Sequence, residues 1–203
     1  MTYDIIYDTG AVNPFTEYER LGCLVTTNEK YGHLADATYK YGYYSLLVSL
    51  AGEYQNMDTD RFRWALNVAD GRHYYGMYGI DLSVAQADAQ STIERAFDKH
   101  YISVSADHIA PGTLYYVRIE DVLKEYSRKN MSKQLRKHVE KILDQELSDL
   151  NAYLEGEVYG WEVRDEYGHC IDSCYGYYGE PGRKYAEKEA KHSMQELSKQ
   201  GVY

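Results

Sequence analysis

With 203 residues, of which 44% are hydrophobic and 27% charged, the chain can bury a core as one compact domain over 1–203, with a possible subdivision into 1–112 and 113–203. The formal net charge of −10 disfavours nucleic-acid binding over the whole surface, because phosphates would be repelled, and leaves room only for a local contact. No apolar run approaches the roughly 20 residues of a membrane span, the first residues lack a secretory signal, and three cysteines fit a reducing compartment, so we expect a cytoplasmic protein without membrane contact.

The first half of the chain predicts short elements separated by turns. Residues 3–8 favour a strand, which a Gly/Asn/Pro turn follows, and residues 21–26 form a second apolar run. The spacing of Leu46, Leu47 and Leu50 predicts a helix between about residues 36 and 55. Residues 58–68 fit either a helix or a strand.

The middle of the chain gives clearer signals. Ser83 is a predicted N-cap of a helix that ends near Lys99, since alanine, isoleucine and phenylalanine recur at helical spacing. Residues 101–105 and 113–119 favour strands, with a turn at Pro111-Gly112 between them.

Beyond that turn, the pattern predicts a helix over 120–127 and then a longer amphipathic helix over 132–154, with Gly156 as its stop. A hairpin follows, with strands at 158–164 and 170–175, and a final helix is predicted over 184–199. Because strands and helices are mixed without regular β-α-β spacing, the predicted class is α+β. We expect a mixed, largely antiparallel sheet, a long amphipathic helix and a C-terminal hairpin-helix unit.

Tyrosine dominates the aromatic residues, with 24 Tyr against 3 Phe and 2 Trp. It is concentrated in three segments, at 39–44, 74–78 and 175–178. Since tyrosine joins a large apolar ring to a hydroxyl that needs a partner, two interpretations stay open. The rings form cores capped by hydroxyls, or they form an exposed recognition patch.

The common signatures of nucleotide, zinc-protease and hydrolase sites are absent, so the sequence indicates no catalytic residue, metal or cofactor. Cys170 and Cys174 fall on one face of the predicted strand about 13 Å apart, too far for one ion to bridge, which favours two buried small hydrophobic side chains. Weaker alternatives are a Cys174 nucleophile beside His169 or His73, and the carboxylate pairs Asp58 with Asp60 or Asp4 with Asp8, which could hold Mg²⁺ or act as acid and base.

Basic side chains are concentrated in one part of the long helix. Lysine recurs every four residues at Lys129, Lys133, Lys137 and Lys141, with Arg136 alongside, roughly opposite the apolar stripe. The pattern fits an ordinary solvated face. It also fits a contact for an acidic partner or a nucleic-acid backbone.

Two late motifs resemble a known family. They are Tyr153-Leu-Glu-Gly-Glu-Val-Tyr-Gly160 and Asp172-Ser-Cys-Tyr-Gly-Tyr-Tyr-Gly179, which are similar to the Y-L-x-G-x-V-Y-G and D-S-C-W-G-F-Y-G motifs of uncharacterised accessory proteins of bacteriophages, prophages and plasmids. Tyr115-Tyr-Val117 and the helix after it also resemble that family, whereas the segment 28–36 lacks its leading histidine and basic pair. The resemblance implies a virus or mobile element that acts in a bacterial cytoplasm.

Small proteins of such elements often block a host defence enzyme, as anti-CRISPR and antirestriction proteins do. We therefore expect a protein that is not an enzyme and that inhibits or modulates a host defence protein or nucleoprotein by protein–protein contact. The predicted contact residues are Tyr175, Tyr177, Tyr178, Trp161, Asp172, Lys133, Arg136 and Lys137. The alternative is a small-molecule or nucleotide-binding protein, in which tyrosines stack on a base while Lys133 and Arg136 meet phosphate.

Overall fold

The computed structural model describes residues 1–39, 43–51, 65, 68 and 82–200. Its helices and strands are, in chain order, β1 (Thr2–Tyr7), α1 (Pro14–Glu17), β2 (Cys23–Thr26), a 3-10 helix (Glu29–Leu34), β3 (Ala37–Thr38), α2 (Tyr43–Ala51), α3 (Leu82–Phe97), β4 (Tyr101–Ser105), β5 (Thr113–Arg118), α4 (Ile119–Glu125), α5 (Lys133–Glu155), β6 (Val158–Arg164), β7 (Cys170–Tyr178) and α6 (Gly179–Lys199). Two sheets, both mainly antiparallel, accompany these helices, so the predicted α+β class is confirmed.

The chain divides into two compact units. The hairpin unit comprises Met1–Arg20 and Asp144–Tyr203, and the four-stranded unit comprises Leu21–Leu143. The boundary between Leu143 and Asp144 falls inside α5. The single domain over 1–203, with its subdivision after residue 112, stays a prediction.

In the hairpin unit, β6 lies between β1 and β7 and is antiparallel to both strands. Side chains alternate between the two faces of this sheet, and Ile5 and Trp161 share one face because they are paired across β1 and β6. The α6 helix packs on that face, where Ala186 and Ala190 are buried against Trp161 and Val163. Small residues on the helix therefore let it approach the large side chains of β6.

Glycine ends the long helix and closes the hairpin, as the sequence predicts. Gly156 has a φ of 74°, its N–H donates to the carbonyl of Tyr153, and the N–H of Glu157 donates to Ala152. This pair of hydrogen bonds satisfies carbonyls that the end of α5 would otherwise leave open. Gly168, with a φ of 84°, turns the chain between β6 and β7.

The last helix begins five residues before its predicted start, at Gly179 instead of Lys184. Pro181 and Gly182 argue against a helix there by their intrinsic propensities. Pro181, however, lies in the first turn of α6, where a backbone N–H has no partner within the helix and its loss costs nothing. The predicted boundary was therefore too late.

The four-stranded unit has the strand order β3-β2-β5-β4, in which only the β2–β3 pair is parallel. Its core lies where α2 and α3 meet the sheet; the buried members are Val25, Leu46, Leu47, Leu50, Ala65, Val68, Ala89, Ile93, Phe97, Tyr101, Leu114 and Tyr116. Tyr101 is fully buried, stacks on Phe97 at 4.6 Å and donates its hydroxyl proton to the carbonyl of Leu50 at 2.8 Å. At Tyr101, therefore, the ring is part of the core and the hydroxyl is satisfied by a backbone carbonyl, as the first interpretation of the tyrosines expects.

Two predicted boundaries in this unit differ from the structure. The helix expected over 36–55 is shorter, since Ala37 and Thr38 pair with β2 as strand β3. Ser83 is not an N-cap, because it is itself a helical residue of α3. Of the undecided segment 58–68, only Ala65 and Val68 are described, and both are helical and buried.

Candidate interaction surfaces

The face of the hairpin unit's sheet that points away from α6 carries mostly polar residues. We call it the polar face, and its residues are Thr2, Asp4, Ile6, Gly160, Glu162, Arg164, Cys170, Ser173 and Tyr175, of which Ile6 is the one aliphatic side chain. Alternation places them together, since β6 alternates between these residues and the core residues Tyr159, Trp161 and Val163. The face combines charged groups with one large ring.

Tyr175 is held in one position on the polar face. Its ring lies over Gly160, where an added Cβ would come within 2.3 Å of the ring atom Cδ1. Its hydroxyl donates to Glu162 at 2.7 Å, and this hydrogen bond, ahead of burial, raises the pKa of Tyr175. The ring is nevertheless 46% exposed. Tyr175 thus presents a fixed aromatic surface to solvent.

Charged side chains hold Glu162, the hydrogen-bond acceptor of Tyr175, in place. Glu162 accepts a hydrogen bond from the Arg164 guanidinium, which also donates to the carbonyl of Gly168 at 2.9 Å. The carboxylate of Asp4 lies 3.7 Å from Nε of Arg164. The chain of contacts runs across all three strands and brings both charge signs next to the exposed ring.

Trp161 and Tyr177, two of the predicted contact residues, lie on the opposite face against α6. Trp161 is only 5% exposed, and its Nε1 donates to the Tyr177 hydroxyl at 3.0 Å. That hydroxyl donates in turn to Glu189 at 2.6 Å, and burial, more than this bond, raises the pKa of Tyr177. Trp161 therefore packs the sheet against α6 and offers almost no surface to a partner, contrary to the prediction.

Tyr178 and Asp172 are half-buried and bonded within the hairpin unit. The Tyr178 hydroxyl donates to the carbonyl of Val12 at 2.8 Å, and burial is the main cause that raises its pKa. The carboxylate of Asp172 accepts hydrogen bonds from the Ser193 hydroxyl and from the N–H of Ser173. Both side chains fasten neighbouring segments, so Tyr175 is the exposed one among the predicted contact tyrosines.

The two cysteines of β7 correct a prediction. Both Cys170 and Cys174 are exposed thiols, not buried hydrophobic side chains. They also lie on opposite faces, because Cys170 is paired with Arg164 and Cys174 with Trp161. A β-bulge between these pairs adds one residue to β7 and reverses the alternation. Among the described residues, no group of three His, Cys, Asp or Glu could hold a metal ion.

The tip of the hairpin is organised by Asp165. Its carboxylate accepts from the N–H groups of Tyr167 and His169 at 2.9 and 2.8 Å, and lies 3.2 Å from Nδ1 of His169. Burial opposes ionisation here, yet these hydrogen bonds outweigh it and lower the pKa of Asp165. Tyr167 stands at the tip with 75% of its surface exposed. His73, Asp58 and Asp60 lie outside the described residues.

The predicted basic helix face is present in part, because α5 begins at Lys133 and Lys129 lies before it. Lys129, Lys133, Lys137 and Lys141 are all exposed, and within the described part of the chain none of them has an ion-pair partner. Arg136 differs, since its guanidinium donates to the carbonyls of Asp98 at 2.9 Å and Tyr101 at 3.4 Å. Arg136 thus anchors α5 to the start of β4, and the lysines are left to face solvent.

A groove at the end of β1 has no counterpart in the sequence predictions. Its lining residues are Tyr7, Asp8, Thr9, Ala11, Tyr153, Leu154, Gly156 and Val158, and its volume is about 650 Å³. The only sequence signal for it is the Tyr153-Leu pair of the late motif, which reads equally well as the end of a helix. Residues more than 140 positions apart line the groove, so only the fold brings them together.

Comparisons with protein families, with curated proteins and with solved structures give no match for this chain. Across the described residues, every helix is too short or too polar to cross a membrane. What these surfaces can bind must therefore be argued from the positions and charges of the chain's own side chains.

Proposed function

We propose that this chain is a bacteriophage or mobile-element protein that binds a host defence protein or nucleoprotein and inhibits or modulates it by protein–protein contact. The polar face of the hairpin unit is the contact surface. The observation that carries this proposal is the fixed, half-exposed ring of Tyr175. The phage setting comes from the family resemblance of the late motifs.

The surroundings of Tyr175 suit a protein interface. Tyrosine gives a large contact area at a low entropy cost, and the cost is lower still when the side chain is already held before binding. Gly160 beneath the ring and Glu162 at its hydroxyl hold it in this way. The charges of Arg164 and Asp4 then supply a polar rim around an aromatic centre, as interfaces with dominant central residues have.

The proposal predicts that Tyr175→Ala weakens the complex by about tenfold or more, the scale of a central aromatic contact. Tagged natural chain is used to capture partners from bacterial host lysate, which mass spectrometry identifies. Isothermal titration of the purified partner then compares the variant with the natural chain. A defence protein captured by the natural chain and lost by the variant is the expected result.

Tyr167→Ala is the matched control, because Tyr167 is more exposed than Tyr175 but lies at the hairpin tip. Its affinity should equal that of the natural chain. If the Tyr175→Ala protein bound as tightly as the natural chain, or if both variants lost the same affinity, the polar face would not be the interface. A captured partner without any role in defence would contradict the defence function itself.

A local nucleic-acid contact through the lysines of α5 is a second candidate, and the absence of ion-pair partners among the described residues favours it. Three basic side chains of α6 are ion-paired by contrast, Arg183 and Lys184 with Glu180 and Lys199 with Glu196. An unpaired lysine ammonium is bound only by water, so its contact with a phosphate breaks no ion pair within the protein. In a nucleoprotein target, such lysines would meet the nucleic-acid part.

Replacing Lys133 and Lys137 together by glutamine should lower the salt dependence of binding to a single-stranded oligonucleotide by about 1.4 in the log–log slope, since each lost phosphate contact removes about 0.7. Fluorescence anisotropy over a salt series measures this slope. Replacing Lys184 and Lys199 by glutamine is the control with the same charge change and should leave the slope unchanged. Equal slopes for the two variants would exclude the α5 lysines.

A further inference from the structure

The groove at the end of β1 has aromatic and apolar walls that solvent reaches. Tyr7 is 66% exposed and Leu154 is 42% exposed, so a ligand can reach both side chains. The ring of Tyr7 stands 5.1 Å from that of Tyr159, tilted by 34°, which fixes its orientation. Tyr153, on the last turn of α5, also lines the groove. Two tyrosines thus line an open groove.

The groove is electrically negative. Asp8 lines it directly, and Glu155 and Glu157, which are exposed, flank Gly156 in its wall. The C-terminal end of α5 adds the negative end of a 23-residue helix, worth about half an elementary charge. Neighbouring hydroxyls respond to these charges. Asp8 adds to the raised pKa of Tyr178 after burial, Tyr18 and Asp149, and Glu157 adds to the raised pKa of Tyr159 after burial and Tyr7. An anionic ligand would be repelled here.

Aromatic rings with nearby carboxylates are the combination that attracts an organic cation, because the ring face and the carboxylates both present negative charge. The hairpin unit already contains such a contact. The Arg183 guanidinium lies 5.6 Å from the ring centre of Tyr159, the ring that neighbours Tyr7. Arg183 is itself 3.9 Å from Glu180 and does not line the groove.

We propose that this groove binds an arginine or lysine side chain presented by an extended segment of another protein. The cation lies between the rings of Tyr7 and Tyr153 with Asp8 as its counter-charge, and the apolar stem packs on Leu154. A protein segment is the occupant because the groove, with a volume of about 650 Å³, is larger than one amine needs. The groove shares no residue with the polar face, so this site does not depend on the function proposed above.

The test is a titration of the ¹⁵N-labelled full chain with the peptide acetyl-Gly-Gly-Arg-Gly-Gly-amide, followed by amide chemical shifts. The amide signals of Gly10 and Gly156 should move. The same peptide with citrulline in place of arginine keeps the shape and loses the charge, and it should bind at least about fivefold more weakly, given the strength of cation–π and carboxylate contacts. Equal binding of both peptides, or no shift with either, overturns the proposal.

Two variants locate the site. Asp8→Asn removes the charge while the remaining side-chain oxygen can still accept the N–H of Gly10, as Asp8 does at 3.0 Å. Tyr7→Leu removes the ring. Each should weaken the arginine peptide by roughly threefold to tenfold, whereas Asp144→Asn, an exposed carboxylate of α5 outside the groove, should not.

The dispersion of the amide signals of each variant reports whether it is folded, which separates a loss of binding from unfolding. Unchanged affinity in both the Tyr7 and Asp8 variants overturns the site. Free n-propylguanidinium, which carries the arginine side chain and its single charge without a peptide backbone, is the last probe. If it binds as tightly as the arginine peptide, the groove takes a small organic cation and the assignment to a protein segment is wrong.

Discussion

Replacing Trp161 by alanine should lower the free energy of unfolding by about 3–5 kcal/mol, the usual cost of removing a buried large aromatic side chain. Trp161 is buried between β6 and α6, where Val163, Ala186 and Ala190 surround it. Its loss leaves a cavity that the two alanines are too small to fill. It also leaves the Tyr177 hydroxyl without the donor that Nε1 provides at 3.0 Å. Urea denaturation followed by far-ultraviolet circular dichroism measures the change.

Trp161→Phe is the matched variant. It keeps most of the apolar volume but removes the indole N–H, so we expect a smaller loss, about 1–2 kcal/mol. If alanine cost less than about 1 kcal/mol, the side chain would not be part of the packing. Trp161 would then return to the candidate contact residues that the sequence predicts.

Replacing Gly182 by alanine should lower the free energy of unfolding by about 1–3 kcal/mol. This expected loss of stability is opposite in sign to the usual effect, because alanine normally stabilises a helix relative to glycine by up to about 1 kcal/mol. At Gly182, in the first turn of α6, an added Cβ would lie 2.7 Å from the carbonyl carbon of Tyr177 and 3.2 Å from its Cα. Backbone atoms cannot rotate away as a side chain can. The helix start must therefore move from the end of β7.

Gly10→Ala is the control for this substitution, because the nearest atom to its added Cβ is Oδ1 of Asp8 at 3.6 Å, an ordinary contact. Its effect should stay within about 0.5 kcal/mol. The urea concentrations at the unfolding midpoints of both variants and of the natural chain measure these stability changes. A stabilised Gly182→Ala protein would show that the helix does not meet the strand as closely as described.

Local patterns predicted the elements of the hairpin unit well. The apolar stripe of α5, the glycine that ends it at Gly156 and the turn at Gly168 all depend on residues close in sequence, and the structure has each of them. The start of α6 was missed because Pro181 and Gly182 oppose a helix by propensity. Contact of α6 with the sheet, through Ala186 and Ala190, outweighs that local preference.

The candidate contact residues were harder to predict, because a tyrosine looks the same in the sequence whether it packs or projects. Tyr175, Tyr177 and Tyr178 are neighbours in β7, yet Tyr175 lies over Gly160 on the polar face while Tyr177 bonds to α6. Alternation alone would give Cys170 and Cys174 one face. The bulge between them reverses it, and no local residue pattern signalled that bulge.

By itself, the sequence determined the α+β class, the long helix with its glycine stop, the hairpin and the row of exposed lysines on α5. These features follow from hydrophobic periodicity and turn chemistry, which act over a few residues. Tertiary structure alone decided that Trp161 is core, that Tyr175 projects, and that Tyr7 and Asp8 meet Tyr153 in one groove. Burial and pairing depend on segments more than 100 residues apart, and the free energy that places them comes from contacts that no local pattern encodes.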